Sequence, residues 1–247
     1  TASAATAISQ AASQMGVELT PTQLDQLQRY LALVQKWNKV YNLTALRDPA
    51  DMLTHHLFDS LSAIAPVQRQ LAQMGVPLAQ ARLLDVGSGA GLPGVVMAVC
   101  CPTLAVACVD TVGKKAAFVQ QVALELRLPN LRGVHARVES LTEQFDVVSS
   151  RAFASLVDFT TWSRAALAPH GVWLAMKGKH PVDEIAALPA DVGVFHVEHL
   201  TVPALDAERC IVWMNRIPSP RPLTPGGFSC LALQTMAHLS SPSSSFC

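Results

Sequence analysis

The chain has 247 residues, a length that suits one large α/β domain or a domain with a helical appendage. Half of it is hydrophobic and 15% is charged, with Lys plus Arg equal to Asp plus Glu at 18 each, which excludes global disorder and a whole-protein basic field. No run reaches the roughly eighteen apolar residues of a membrane span; the densest, Val95 to Cys101, is short.

Thr1 to Gly16 is rich in Ala, Ser and Gln, has no basic n-region and does not read as a secretion signal. Thr20-Pro21 reads as a cap and first helical residue, and Leu24, Leu27, Leu31, Val34 and Trp37 follow at helical spacing, so this helix has one face to bury. Asp48-Pro49 repeats the cap signal ahead of a second stripe, Met52, Leu53, Leu57, Leu61 and Ile64. Both helices precede the first strand, which predicts a helical cap over residues 1–78 packed on an α/β core over 79–217. Within that core the pattern predicts a strand over 82–86, a helix from 92, a strand over 104–109 and a helix over 113–126. Strands over 131–135 and 145–149, a helix over 155–167, a strand over 171–176 and two last strands near 192–200 and 209–214 complete it. Such alternation implies a mostly parallel, seven-stranded sheet with helices on both faces. No internal repeat is present. Residues 218–247 hold many Pro and Ser, no Asp or Glu and Arg221 as the one formal cation, and read as a disordered or atypical tail; a shifted reading frame would produce the same break.

Of the six cysteines, Cys100, Cys101 and Cys108 fall in a predicted buried helix and strand, and no pair is spaced C-x-x-C, so the chain reads as a reduced, cytoplasmic protein. None follows a proline, as the nucleophile of pyrimidine C5 methylation would, and buried packing is the preferred role. His55-His56 and His196/His199 do not make a metal site, because positions three apart on a strand point to opposite faces.

The chemistry concentrates in Leu83-Leu84-Asp85-Val86-Gly87-Ser88-Gly89-Ala90-Gly91-Leu92-Pro93-Gly94, where an apolar strand meets a helix through four glycines. Such a loop lets backbone N–H groups approach a nucleoside or phosphate at a helix N-terminus, although a glycine-rich turn also serves tight packing alone. The next strand ends in Asp110, whose carboxylate can accept both ribose hydroxyls. Gly89 to Gly94 formally satisfies the dinucleotide fingerprint G-x-G-x-x-G, which keeps a nicotinamide cofactor open. Asp85 with Gly87, Gly89 and Gly91 instead spells D-x-G-x-G-x-G and resembles the S-adenosylmethionine (SAM) loop of Rossmann-like methyltransferases, where the acid orders the loop and meets the cationic end of the ligand. Pro93 favours the second reading, since a pyrophosphate would want an N–H there.

Arg151 follows the strand Phe145 to Ser149, at the carboxyl end where ligands of such sheets bind. Its guanidinium can take the SAM carboxylate or an RNA phosphate in a two-pronged contact, or simply pair with Asp158 or another acid. Cations exceed acids between residues 111 and 180, so a local basic surface at the cleft is expected, with Lys114, Arg137 and Lys177 as the preferred phosphate or guanine contacts. Tyr41 and Phe153 are candidates to stack on a splayed base, whereas Trp37 lies on the apolar stripe and reads as core. His56 with Asp59 is expected either to orient a helix end or to contact RNA.

Taken in order, Trp37-Asn38-Lys39-Val40-Tyr41-Asn42-Leu43-Thr44-Ala45, His56 with Asp59-Ser60, Asp85 to Gly94, Ser150-Arg151-Ala152-Phe153-Ala154 and Lys177-Gly178 resemble the bacterial 16S ribosomal RNA guanine-N7 methyltransferases, also called the glucose-inhibited division protein B family. The resemblance spans residues 20 to 215 and implies a Rossmann-like SAM-dependent methyltransferase fold. It places SAM contacts on Gly87, Leu92, Asp110, Val138, Glu139 and Arg151, beside Asp85, Gly89 and Gly91 of the loop, with Val138-Glu139 along the adenine edge. With the residue reading above, RNA contacts are expected at Asn42, His56, Lys114, Arg137 and Lys177 and positioning roles at Arg151 and Lys177, with no metal; the expected protein is a monomer acting on 16S RNA or the small ribosomal subunit. Guanine N7 carries a free lone pair and no proton, so no catalytic base is expected; the Asn/Asp-Pro-Pro-Tyr/Phe signature of exocyclic amino methylation is accordingly missing. A SAM enzyme with another RNA or small-molecule substrate is the alternative, ahead of a nicotinamide oxidoreductase; a catalytically dead RNA-binding module would need a broken loop, and this loop is intact.

Overall fold

The computed structural model describes residues 2–45 and 48–217. The segment 218–247, read from composition as a tail, lies outside the described residues.

Helix α1 (Ala2–Gln14), for which the Ala/Ser/Gln composition gave no signal, precedes α2 (Pro21–Tyr41). Thr20 starts α2 with a capping box: its Oγ1 accepts from the Gln23 N–H at 3.2 Å while Gln23 Oε1 accepts from the Thr20 N–H at 2.9 Å. Asn42, at φ 50°, closes the helix by donating its N–H to the Asn38 carbonyl. Asp48 caps α3 (Pro49–Asp51), but the expected single helix is interrupted: Met52–Phe58 is π-helical before α4 (Asp59–Leu61), and α5 (Ile64–Gln73) follows as a separate helix.

The sheet then unfolds in sequence: β1 (Arg82–Val86), α6 (Gly94–Cys100), β2 (Ala105–Asp110), α7 (Gly113–Glu125), β3 (Leu131–His135), β4 (Phe145–Arg151), α8 (Leu156–Trp162), β5 (Leu167–Lys177), α9 (Val182–Ala186), β6 (Val192–Leu200) and β7 (Arg209–Arg216). Its order is β3-β2-β1-β4-β5-β7-β6, with the first five strands parallel and β7 antiparallel to both β5 and β6. One boundary is corrected: the helix expected over 155–167 ends at Trp162, and β5 starts at Leu167 rather than 171. Ser163 causes the stop, because its hydroxyl donates to the Phe159 carbonyl at 2.5 Å and accepts from Trp173 Nε1 at 2.9 Å, tying the chain to the strand that follows.

Alternate residues of each central strand face opposite ways. Val147, Leu174 and Ile211 join a cluster covered by α1, α2, α5, α6 and α7; Val148, Trp173 and Val212 face a second cluster under α8. The first helices belong to the same apolar cluster as the sheet, through Ile8, Leu27, Tyr30 and Val34 against Val95, Val96 and Phe118. Among the described residues no helix is long and apolar enough to cross a membrane.

Candidate active site

The carboxyl ends of β1, β2 and β4 surround a cavity of about 270 Å3 lined by Val86, Gly87, Asp110, Thr111, Arg137, Val138, Glu139, Phe153 and Trp162. Crossover connections leave this edge open, which is why parallel sheets bind ligands there. Gly87 sits at φ 64°, a left-handed turn that brings the chain up against the Phe153 ring; a Cβ at Gly87 would lie 2.5 Å from Phe153 Cδ2. Phe153 is folded back over the loop by Ala152, whose φ is 51°, and is braced edge-on by Trp162 at 5.8 Å. The 3-10 turn Val138–Ser140 forms the facing wall.

Asp110 holds the loop and the floor together. One carboxylate oxygen accepts from the Gly89 N–H at 3.1 Å and the other from the Val112 N–H at 2.8 Å, leaving the remaining lone pairs of a cavity-lining side chain for a ligand hydroxyl.

The loop itself differs from expectation in one respect that decides its ligand. Its N–H groups do not reach out: Gly87 donates to the Val109 carbonyl, Gly91 and Leu92 donate to the Ser88 carbonyl, and Gly94, at the start of α6, donates to Asp85 Oδ2 at 3.0 Å. With Pro93 lacking an N–H, a diphosphate at this helix N-terminus would meet a carboxylate in place of donors. The loop's carbonyls are used within the fold as well: Ser88 accepts from Gly91 and Leu92, and Gly91 from Val95. A helix start without outward donors does not fit the diphosphate of a dinucleotide, whereas the Asp110 carboxylate at the cavity fits the ribose of SAM.

Asp85 is corrected accordingly: it orders the loop but is fully buried and does not reach the cavity. Burial pushes its carboxyl up to about 7, against the opposing hydrogen bonds from Gly94 and Ser149. Gly89, Gly91 and Leu92 likewise shape the loop from behind, outside the cavity lining; a Cβ on Gly91 would stand 2.4 Å from Val95 Cγ2. Tyr30 adds a support that the sequence did not reveal, donating its buried hydroxyl to the Ala90 carbonyl at 2.7 Å.

Arg151 is committed to a different partner than Asp158. Its Nη1 donates to the His55 carbonyl at 2.8 Å and to Asp59 Oδ2 at 3.1 Å, and its Nη2 faces His56 Nδ1 at 3.2 Å. Asp59, nearly fully buried, also accepts from Arg209 Nε at 3.0 Å, so one carboxylate joins β4 and β7 to the π-helical segment. Burial, then the Arg151 charge, lowers His56 to about 4, which keeps the ring neutral. A neutral ring that accepts from Arg151 at Nδ1 carries its proton on Nε2, and that nitrogen lies 2.6 Å from Thr44 Oγ1. His56 thus orients Arg151, and its ring reaches the Asp59 carboxylate through that guanidinium. Lys177 is held by Glu184 at 2.8 Å, whereas Arg137, expected at the RNA, lines the cavity itself. Lys114 lies over the Tyr41 ring at 5.2 Å, and Asn42 caps α2 close by. Trp37 packs on the core beside Phe118 at 5.3 Å. No group of three or more His, Cys, Asp or Glu among the described residues could hold a metal ion. Thr111, Trp162 and Arg209 were not singled out from sequence; only the placement of Arg209 at a strand start offered a hint.

Comparison with known proteins is decisive at this point. The family model described as rRNA small subunit methyltransferase G matches residues 23–212. The chain belongs to this methyltransferase G family. It is 66% identical over 214 residues to the "Ribosomal RNA small subunit methyltransferase G" of Acidovorax sp. (strain JS42), covering 85% of this chain and 95% of the relative. The protein of the same name from Polaromonas naphthalenivorans is 64% identical over 201 residues, covering 81% and 90%. Among solved structures, a mutant of MtNAS in complex with S-adenosylmethionine superposes with a TM-score of 0.51 at 12% identity, covering 87% of this chain and 78% of that one, a likeness of fold alone. This methyltransferase G chain has the Rossmann-like methyltransferase fold, with its cavity at the strand ends.

Proposed function

We propose that the chain transfers a methyl group from SAM to N7 of a guanine in the 16S ribosomal RNA of the small subunit. It is a SAM-dependent ribosomal RNA methyltransferase of the methyltransferase G family. The observation that carries the reading is the cavity at the strand ends, whose wall is the Gly87 turn and whose floor is the Asp110 carboxylate.

SAM, when bound, supplies an electrophilic methyl group on a sulfonium. Asp110 accepts the ribose hydroxyls, and Val138 and Glu139 read the adenine edge through a backbone N–H and an acceptor. Gly87 gives the ligand access that a Cβ would close, while Asp85, Gly89, Gly91 and Leu92 hold the loop in shape. Arg151 and Lys177 position the cleft wall, Arg151 through His56 and Asp59. The N7 lone pair attacks in line, so no residue needs to remove a proton; the chain contributes alignment and exclusion of water. Asn42, His56, Lys114, Arg137 and Lys177 are the residues we assign to the RNA. We assign residues 1–78 as a cap and 79–217 as the methyltransferase core of a cytoplasmic monomer.

Transfer of labelled methyl from SAM to small subunits that lack the modification, with the product base identified by mass spectrometry, tests this reading. Labelled 7-methylguanine from the wild type and none from Gly87→Asp is the expected result. SAM binding without transfer to the subunit would refute the substrate.

A further inference from the structure

Nearly every arginine that borders an acid in this chain is paired: Arg29 with Asp25, Arg69 with Glu198, Arg82 and Arg132 with Glu143, Arg151 and Arg209 with Asp59, Arg164 with Asp191. Three exposed lysines of one ridge are not. Helices α2 and α7 run side by side in opposite directions, Tyr41 meeting Lys114 at one end, Trp37 meeting Phe118 in the middle and Arg29 donating to the Glu125 carbonyl at the other. Lys36, Lys39 and Lys114 are exposed on these helices and make no ion pair among the described residues. Between residues 26 and 45, and again between 111 and 124, there is no Asp or Glu; the flanking acids, Asp25 and Glu125, stand at the far end.

Large apolar side chains are exposed on the same rim, at Val40 (69%), Tyr41 (42%) and Val112 (44%). Arg29, Lys36 and Val40 are spaced so that they share the flank of α2. The ridge starts at the cleft, because Lys114 follows Asp110 and Thr111 of the cavity lining, and Leu43 reaches the Gly89 turn. From Tyr41 to Arg29 it extends about 18 Å at about 1.5 Å per residue, the length of about five stacked nucleotides at ~3.4 Å each.

We propose that the α2–α7 ridge is a docking track for the RNA strand that flanks the target guanine, with Lys36, Lys39 and Lys114 on phosphates and Tyr41 as a stacking plate at the cleft end. It rests on the ribosomal RNA reading and extends it to a surface outside the cofactor cleft. Unpaired cations beside an exposed aromatic are what single-stranded RNA requires, charge along the backbone and a π-face for a base. A surface of this kind also reconciles RNA binding with a formal net charge of zero, since the helix segments that carry these lysines hold no acid to offset them.

The test compares wild type, Lys36→Gln/Lys39→Gln, Tyr41→Ala and Tyr41→Phe, with thermal melts to establish folding and calorimetry to establish SAM affinity. Binding to a labelled oligoribonucleotide is measured against salt, and methyl transfer against the concentration of unmodified small subunits. Loss of two phosphate contacts flattens the slope of log K against log salt by about 1.4 to 1.8. Tyr41→Ala raises KM for the subunit about tenfold, the loss of one base–aromatic contact, with kcat and SAM affinity unchanged, and Tyr41→Phe restores it. A salt slope unchanged to within about 0.5 in the lysine variant, together with KM values within twofold of wild type in all variants, overturns the track. Variants weakened toward the assembled subunit but not toward RNA freed of protein would assign the ridge to a ribosomal protein and also overturn it. If the wild type transfers no methyl group at all, the enzymatic reading fails, while the salt slopes still decide whether the ridge holds RNA.

Discussion

Replacing Asp59 with Asn removes the buried negative charge that faces Arg151 and Arg209. The side chain is 4% exposed and accepts from Arg151 at 3.1 Å and from Arg209 at 3.0 Å. Deleting one partner of a buried ion pair costs about 3–5 kcal/mol, because the charge left behind has lost its solvation. Arg151 and Arg209 are 18% and 22% exposed, so water relieves part of that cost and the lower end, about 3 kcal/mol, applies. For a chain of this size the loss lowers Tm by roughly 6–12 °C. Thermal and urea denaturation of Asp59→Asn, Arg209→Met and the double variant form a cycle in which the double variant is more stable than the sum of the single losses predicts. At a temperature where Asp59→Asn is folded, methyl transfer falls further than SAM affinity, since Arg151 has lost its anchor. A destabilisation under about 1 kcal/mol, or strict additivity in the cycle, would refute the placement of Asp59 as the keystone of this network.

Gly87→Ala places a side chain at φ 64° and drives the Phe153 ring into the cavity, so SAM affinity measured by calorimetry falls at least about tenfold with a stability loss of about 1–2 kcal/mol. Tyr30→Phe leaves the Ala90 carbonyl without its buried donor and costs about 1–3 kcal/mol in urea denaturation, with a rise in the KM for SAM as the loop loosens. Asp85 is raised to about 7 in the folded chain, so its protonated form favours folding: its contribution is full below about pH 4 and is lost as pH rises through 7, up to about 4 kcal/mol in all. Unfolding free energies measured from pH 4 to 8 differ between the wild type and Asp85→Asn by that decline, over a rise toward pH 6.5 that neutral His56 gives to both; equal slopes would contradict it.

What the sequence made legible is what short-range chemistry dictates. The Thr20-Pro21 and Asp48-Pro49 helix starts rest on bonds within three residues, and β1 to β5 rest on apolar runs bounded by turns. The glycine loop and the Asp110 strand end were placed for the same reason. Illegible features depend on contacts between distant segments. Arg151 chooses Asp59, 92 residues away, over nearby Asp158, which Ser155 already engages. The π-helical stretch Met52–Phe58 ends where Asp59 must face two strands and His55 must offer its carbonyl to Arg151, a demand no local pattern encodes. The direction of the loop donors was hidden too, since a buried Asp85 and a neighbouring strand capture N–H groups that spelling alone would aim at a ligand.

The bond from Tyr30 to Ala90 joins residues 60 apart in the chain, and chains are made from the N-terminus. At about 5–20 residues per second, the hydroxyl leaves the ribosome roughly 3–12 s before its acceptor. Throughout that interval α2 shows Leu27, Tyr30 and Val34 with no sheet to cover them. The cofactor loop then condenses onto a helix made well before it. Slowing synthesis between the two segments lengthens that exposure and lowers the yield of active enzyme without changing a single residue.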